Sequence, residues 1–222
     1  MKISVIGGDL RIVKLSQIYA KEKNTVYTYG MEKYFNQNNQ IEIDNNIIMC
    51  KNIEDAISAS KYIISGIPLS RDNKYINTPF SDNKILLDEF LEKLSNYSTY
   101  IANKNNLKKD ESIKFIAGKI PKEFYNRKFS NIDLLKNEEF NILNSIPTVE
   151  GTIKIIIQER EDTIHESNIL ICGFGRIGKI LCNRLKGLGA KIFCAARRDT
   201  DLAWIREEGY IPLKYNEIEE LR

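Results

Sequence analysis

Residues 168–199 read NILICGFGRIGKILCNRLKGLGAKIFCAARRD. Asn168–Cys172 is a short apolar run of strand type, and Gly173-Phe174-Gly175-Arg176-Ile177-Gly178 follows it without a spacer. Lys179–Leu188 carries a helical pattern that stops at Gly189, and Lys191–Ala196 is a second apolar run. The glycines at such a junction have separate tasks. Gly173 permits the tight turn from strand to helix. Gly175 has no Cβ, so a pyrophosphate can approach the backbone. Gly178 lets the helix pack closely on the strand. The free N–H groups that open the helix then face the phosphate charge. Three spaced glycines alone are a weak signal. Their position between a strand and a helix, with a second strand ending about 20 residues on, makes them a dinucleotide fingerprint.

Gly173, Gly175, Arg176, Ile177 and Gly178 are therefore cofactor-binding candidates. The second strand ends in Ala195-Ala196-Arg197-Arg198-Asp199. NAD sites usually place an acid there for the ribose 2′-hydroxyl, whereas arginine suits a 2′-phosphate. Arg197 and Arg198 join the candidates and favour NADP. NAD stays open because Asp199 follows at once and is also placed to serve the ribose. Asp199–Glu208 reads as a helix, Tyr210–Leu213 as a third short strand, and Asn216 as the cap of a last helix. The complete fold has six strands in two halves. Only one half is legible here, so residues 167–222 are expected to form an incomplete NAD(P)-binding Rossmann domain. On this reading the chain is a fragment or a truncated product, with an exposed sheet edge.

Working back toward the N-terminus, strands and helices alternate. Ile3–Ile6 is a buried-strand run ending in Gly7-Gly8-Asp9. Leu10–Glu22 is helical, with Ile12, Leu15, Ile18 and Tyr19 on one face. Thr25–Tyr29, Ile47–Cys50, Tyr62–Ile67 and Ile113–Ala117 read as strands. Ile53–Ser60 and Leu86–Leu94 read as helices. This alternation predicts an α/β domain, flavodoxin-like or Rossmann-like, with a parallel sheet over residues 1–143. Ser95–Ser112, polar and rich in Asn and Lys, is expected to be a loop or insertion. Pro147 follows Asn144-Ser145-Ile146, and Thr148–Arg160 carries Ile153, Ile156 and Ile157 at helical spacing. Residues 144–166 are therefore expected to bridge the two domains through this helix.

The bulk numbers exclude several classes. The chain has 222 residues, 42% of them hydrophobic, enough for a packed core. Its 33 basic and 30 acidic residues nearly cancel, which argues against a nucleic-acid binder. Four cysteines form no CxxC pair, and a single histidine, His165, argues against a Cys/His metal cluster, so no metal is expected. Cys172 and Cys194 lie in apolar runs and are expected in the core. Free thiols fit a reducing compartment. The N-terminus has neither a long apolar stretch nor a small-residue cleavage site, so no signal peptide is read. No window is apolar for long enough to suggest a membrane helix.

Over Asn144–Leu213 the chain resembles the family of the dipicolinate synthase A subunit, the larger of the two subunits of the spore dipicolinate enzyme. The resemblance is carried by Asn144-Ser145-Ile146-Pro147-Thr148-Val149-Glu150-Gly151-Thr152, by Thr163-Ile164-His165, by the glycine fingerprint and by Ala196-Arg197. Val5-Ile6-Gly7-Gly8-Asp9 with Arg11 also resembles the family's opening. Arg71–Lys136 matches poorly. The resemblance implies oxidation of a dihydro- or hydroxytetrahydrodipicolinate to dipicolinate, with hydride transfer to NAD(P), during endospore formation. It also implies a flavoprotein-like partner, the dipicolinate synthase B subunit, and a cytoplasmic place in the mother cell. Two other readings compete with it: a different two-domain NAD(P)-dependent dehydrogenase, or a truncated remnant that only binds or regulates.

A small dicarboxylate substrate calls for cations and hydroxyl or amide donors. Gly8, Asp9 and Arg11 lie at the C-terminal edge of the first strand, where open α/β sheets bind ligands. Asp9 reads equally well as a helix cap beside an exposed Arg11. Ser70, with Arg71, follows a strand at the same edge. Asn144, Ser145 and Thr148 begin the bridging helix and are substrate-binding candidates. Glu150 is the carboxylate placed to accept a proton, which ring aromatisation must release along with the hydride. His165 is expected in a surface turn.

Overall fold

The computed structural model describes residues 1–37, 43–127 and 129–221. The chain divides into two compact units, Met1–Asn137 and Glu138–Arg222.

The first unit runs β1 (Lys2–Ile6), α1 (Leu10–Lys21), β2 (Thr25–Tyr29), α2 (Glu32–Gln37), β3 (Ile47–Met49), α3 (Ile53–Ala59), β4 (Tyr62–Ser65), α4 (Leu87–Asn105), α5 (Lys109–Ser112), β5 (Lys114–Ala117), α6 (Lys122–Tyr125) and β6 (Ser130–Asp133). Its sheet is parallel throughout, in the order β3-β2-β1-β4-β5-β6. This is the doubly wound dinucleotide-fold order, not the flavodoxin-like alternative. The order reverses between β1 and β4, so the ends of these two strands frame the crevice of the unit. Ile3, Val5, Ile6 and Ile63 are at most 1% exposed, as expected of strands covered on both faces. Phe90, Phe115, Phe124 and Phe129 interlock beneath them with centroids 5.5–6.4 Å apart. Each such burial contributes up to roughly 3 kcal/mol.

Two sequence expectations are corrected in this unit. Most of Ser95–Ser112 is helix, not loop. Helix α4 continues its buried stripe past Leu94 with Ser98, whose hydroxyl lies 2.9 Å from that of the buried Ser112. A buried serine breaks the apolar pattern without breaking the helix, so the periodicity fades although the packing does not. The helix ends at Asn106, which adopts a left-handed backbone. The sixth strand, Ser130–Asp133, is not legible in the sequence, because SNID has no apolar run. As an edge strand it needs few apolar residues.

The second unit runs α7 (Glu138–Glu159), β7 (Asn168–Cys172), α8 (Arg176–Gly187), β8 (Lys191–Ala195), α9 (Asp199–Glu207) and β9 (Ile211–Leu213), then a 3-10 turn over Tyr215–Leu221. Its parallel sheet has the order β7-β8-β9. Val149 on α7 and Cys182 and Leu185 on α8 are completely buried and join one core with Cys194 and Ile205. Helix α7 begins at Glu138, ahead of the start expected after Pro147. Pro147 lies inside it, where the ring removes one backbone bond at a cost of about 3 kcal/mol or more. Burial of Val149 and packing against α8 offset that cost. Cys172 is exposed, contrary to expectation, because β7 is paired on one side only, while Cys194 in the central strand is buried. Among the described residues, no helix is long and apolar enough to cross a membrane.

Candidate functional site

Each unit leaves its first strand through a glycine turn. In the second unit, Gly173 has φ +118° and its N–H donates to the Ala195 carbonyl at 2.8 Å, which ties the turn to β8. A Cβ on Gly178 would stand 1.9 Å from the Gly173 carbonyl oxygen, so only glycine fits there. A Cβ on Gly175 would meet nothing within 4 Å. The space over Gly175 is therefore open. Gly175 is the N-cap of α8 and offers no side chain to the first-turn amides, and that turn contains no acid. Unsatisfied N–H groups in a first turn without an acid of its own make a place for an anion.

A cavity of about 290 Å³ adjoins this turn, lined by Gly173, Phe174, Gly175, Ala196, Arg197, Arg198, Asp201 and Tyr215. The two arginines differ. Arg198 binds Asp201 through two hydrogen bonds of 2.8 Å. The Arg198 hydrogen bond and charge hold the Asp201 carboxyl below the usual carboxylate range. Arg197 has no carboxylate partner among the described residues, and its guanidinium lies 5.8 Å from the Tyr215 ring centroid. Arg176, inside the fingerprint, is engaged by both carboxylate oxygens of Glu138 at 2.8 and 2.7 Å. An open cradle over Gly175, a helix start without acid and an available guanidinium fit the adenosine and pyrophosphate parts of a dinucleotide. Ile177 is half-exposed at the same helix start.

On the other side of the turn, a cavity of about 620 Å³ follows the unpaired edge of β7. It is lined by Ser145, Thr152 and Ile156 from one face of α7 and by Gly173 and Gly175–Gly178. The structure thus brings Ser145 to the fingerprint, with its hydroxyl donating to Asn141 O at 2.8 Å. Asn144 is half-buried one residue before it, and Thr148 is exposed, its carbonyl accepting from the Thr152 hydroxyl. Glu150 is not brought there. It lies on α7 with its carboxylate 2.8 Å from Arg184, in the last turns of α8 and away from the glycines. His165 is exposed in the turn before β7, as expected.

The first unit's turn is closed. Gly8 N–H, at the position that Phe174 holds in the second unit, donates to the Asn77 carbonyl at 2.7 Å. Gly7 has φ +62°, and a Cβ on it would stand 2.8 Å from Thr78 Cγ2. The strap carrying Asn77 and Thr78 therefore fills the space over the turn. Asp9 caps α1 by accepting from Arg11 N–H at 3.1 Å and pairs with the Arg11 guanidinium at 2.7 Å. That guanidinium also donates to the Ile67 carbonyl. Burial opposes ionisation of Asp9, but the bonds and charge of Arg11, with Arg71 adding to them, hold its carboxyl below the usual range. The structure thus gives Asp9 the helix-cap role and pairs Arg11 with it. Ser70 is buried, its hydroxyl donating to Asp72 Oδ1 at 3.1 Å. Next to it a cavity of about 480 Å³ is lined by Arg71, Asp72, Tyr75, Asn77, Thr78 and Lys84, among others. Asn77 Nδ2 is buried there without a partner. Sequence reading missed Asn77, since no local motif marks a residue that acts by folding back over a distant turn. Among the described residues, no group of three or more His, Cys, Asp or Glu side chains is arranged to hold a metal.

A family model described as the N-terminal domain of the dipicolinate synthase A subunit matches residues 2–114. The chain belongs to that family. It is 26% identical to the dipicolinate synthase A subunit of Bacillus subtilis (strain 168), over 99% of this chain and 69% of the relative. The crystal structure of the dipicolinate synthase A chain from Bacillus subtilis superposes with a TM-score of 0.67 at 25% identity, covering 100% of this chain and 69% of that one. The structure of the same synthase chain from Bacillus halodurans gives 0.72 at 23% identity over 99% and 70%, a likeness of fold. The family match includes the stretch from Arg71 to Lys114, in which the sequence reading found little resemblance.

Proposed function

We propose that this chain is an oxidoreductase subunit that converts a dihydro- or hydroxytetrahydrodipicolinate to dipicolinate. The observation that carries the reading is the open glycine turn Gly173–Gly178 beside Arg197, in a chain of this family. The bound nicotinamide ring would supply the hydride acceptor. The chain's own residues supply the rest. The first-turn amides of α8 bind the pyrophosphate. Gly175 leaves room for it, and Arg197 and Arg198 meet the adenosine ribose, with NADP favoured over NAD. Arg176 adds positive charge but shares it with Glu138.

At the first unit's sheet edge, Gly8, Asp9, Arg11 and Ser70 are assigned to the reception of a dicarboxylate, with Arg71 and the unpaired amide of Asn77, which line the cavity there, as donors. Asn144, Ser145 and Thr148, in the second unit, are proposed as substrate-binding residues in their own right. Ring oxidation releases a proton with the hydride. Because Arg184 holds Glu150, we assign that proton no acceptor on this chain. The flavoprotein-like dipicolinate synthase B subunit is the partner, and the cytoplasm of a sporulating mother cell is the setting.

Calorimetry with NADP and NAD tests the site. Gly175→Val places methyl groups over the open turn and should abolish binding of both, with the fold retained by circular dichroism. Unchanged affinity in the variant would refute the site.

A further inference from the structure

The turn after β9 lies against the same cavity as the two arginines, and its residues have so far been given no role. Lys214 Nζ lies 3.2 Å from Asp199 Oδ1. Tyr215 lines the cavity, 41% exposed, and its ring faces the Arg197 guanidinium. The turn is pinned by its own hydrogen bond, from Lys214 N–H to Glu217 Oε2 at 2.7 Å.

We propose that Lys214 and Tyr215 set the coenzyme choice of this unit, selecting an adenosine that carries a 2′-phosphate. This rests on the dinucleotide reading of the Gly173–Gly178 turn. Two acids, Asp199 and Asp201, lie just after β8 and a third, Glu217, in the turn after β9, and each has a partner. Asp201 is held by Arg198, Asp199 by Lys214, and Glu217 by the backbone of its own turn. Asp199 matters most, since it is the carboxylate that sequence reading left available to accept from a ribose 2′-hydroxyl. With Lys214 on one of its oxygens, Asp199 repels a phosphate dianion less than a lone carboxylate would. Arg197 is then the cation at the rim without a carboxylate. Its guanidinium is planar and always charged, and it stacks well on an aromatic face. The Tyr215 ring gives the fork a flat support, so less freedom is lost when it takes a phosphate through two parallel hydrogen bonds. Tyr215 and Lys214 are positioning residues. They act through Arg197 and Asp199.

Two fragments that lack the nicotinamide half separate this proposal from the wider one: adenosine 2′,5′-bisphosphate and adenosine 5′-monophosphate. Each is titrated into the 222-residue chain by calorimetry, and the ratio of their affinities is the readout. Wild type should favour the bisphosphate by about tenfold or more, the scale of one added charge contact. Lys214→Met should lower that ratio toward one, by weakening the bisphosphate while leaving the monophosphate unchanged or tighter. Tyr215→Leu should lower the ratio as well, and Tyr215→Phe should keep it, because the ring is retained. A role limited to folding would weaken both fragments together and leave the ratio unmoved. An unmoved ratio with binding retained overturns the assignment of Lys214 and Tyr215 alone. Failure of wild type to bind either fragment overturns the dinucleotide site and this selectivity with it.

Discussion

The two glycine turns start from the same topology and end differently. In both units a first parallel strand, β1 or β7, passes through glycines into a helix, α1 or α8. Over Gly7-Gly8 the chain meets itself: the Asn77 carbonyl takes the Gly8 N–H, Thr78 blocks the space, and the Asp9 carboxylate caps the helix. Over Gly173–Gly175 there is no strap, no side-chain cap and no acid in the first helical turn among the described residues. The first unit has the full six-strand order of a dinucleotide fold, yet its own backbone fills its phosphate position. The second has three strands and leaves that position open. The order of strands therefore does not decide which turn is left open to an anion. That depends on whether the turn's amides are already satisfied.

Substitutions at the glycines test this contrast most severely. Gly178→Ala should be the most damaging, because its Cβ meets a backbone oxygen at 1.9 Å that cannot move without opening the turn. A loss of roughly 4 kcal/mol or more is expected. It should be seen as faster amide hydrogen exchange confined to the second unit. Retained protection there would break the close-packing account. Next comes a matched pair. Gly7→Ala should destabilise the first unit by about 1–3 kcal/mol, from the positive φ and the contact with Thr78. Gly175→Ala should cost less than about 1 kcal/mol, the N-cap preference for glycine over alanine alone, since the added Cβ meets nothing. It should still weaken dinucleotide binding. Equal stability losses in the two variants would mean that the turns are not filled and open as described.

Arg197→Ala tests the chemistry of the open turn. It should weaken NADP by about 1–3 kcal/mol, a charged hydrogen-bonded contact, and NAD by less. Equal losses for the two cofactors would remove the 2′-phosphate assignment.

The smallest effect concerns the closed turn. The folded-state pKa of Asp9 is depressed, so its pairing adds stability above the unfolded value, about 3.9. That stability is lost as pH falls through the lower folded value. Asp9→Asn keeps a capping oxygen but loses the charge. It should cost under about 1 kcal/mol near neutrality, after discounting for solvent at this half-exposed pair. The difference from wild type should vanish in acid. A difference that persists in acid strong enough to protonate the folded-state carboxyl would show that the charge is not the cause.

Much of the second unit could be read along the chain. Its β7–α8–β8 junction is local, and the tasks of Gly173, Gly175 and Gly178 follow from residues a few positions apart. The apolar runs of β1, β2 and β4 were legible for the same reason. The two arginines at the end of β8, on which the proposed coenzyme preference rests, were legible there as well. Tertiary structure alone decided the rest. It put Ser98 in a buried stripe and carried α7 through Pro147, because packing there outweighs local propensity. It added the polar edge strand Ser130–Asp133 and exposed Cys172 on a strand paired on one side. It gave Glu150 to Arg184, Arg176 to Glu138 and Asp199 to Lys214, pairings between residues that share no local motif. It also laid Asn77 over Gly8, a contact across 69 positions of chain. Spacing fixes which residues share a helix face or a turn. Which distant group satisfies a given amide or charge is settled only when the chain has closed on itself, since an unpaired buried polar group is costly and the first partner within reach takes it.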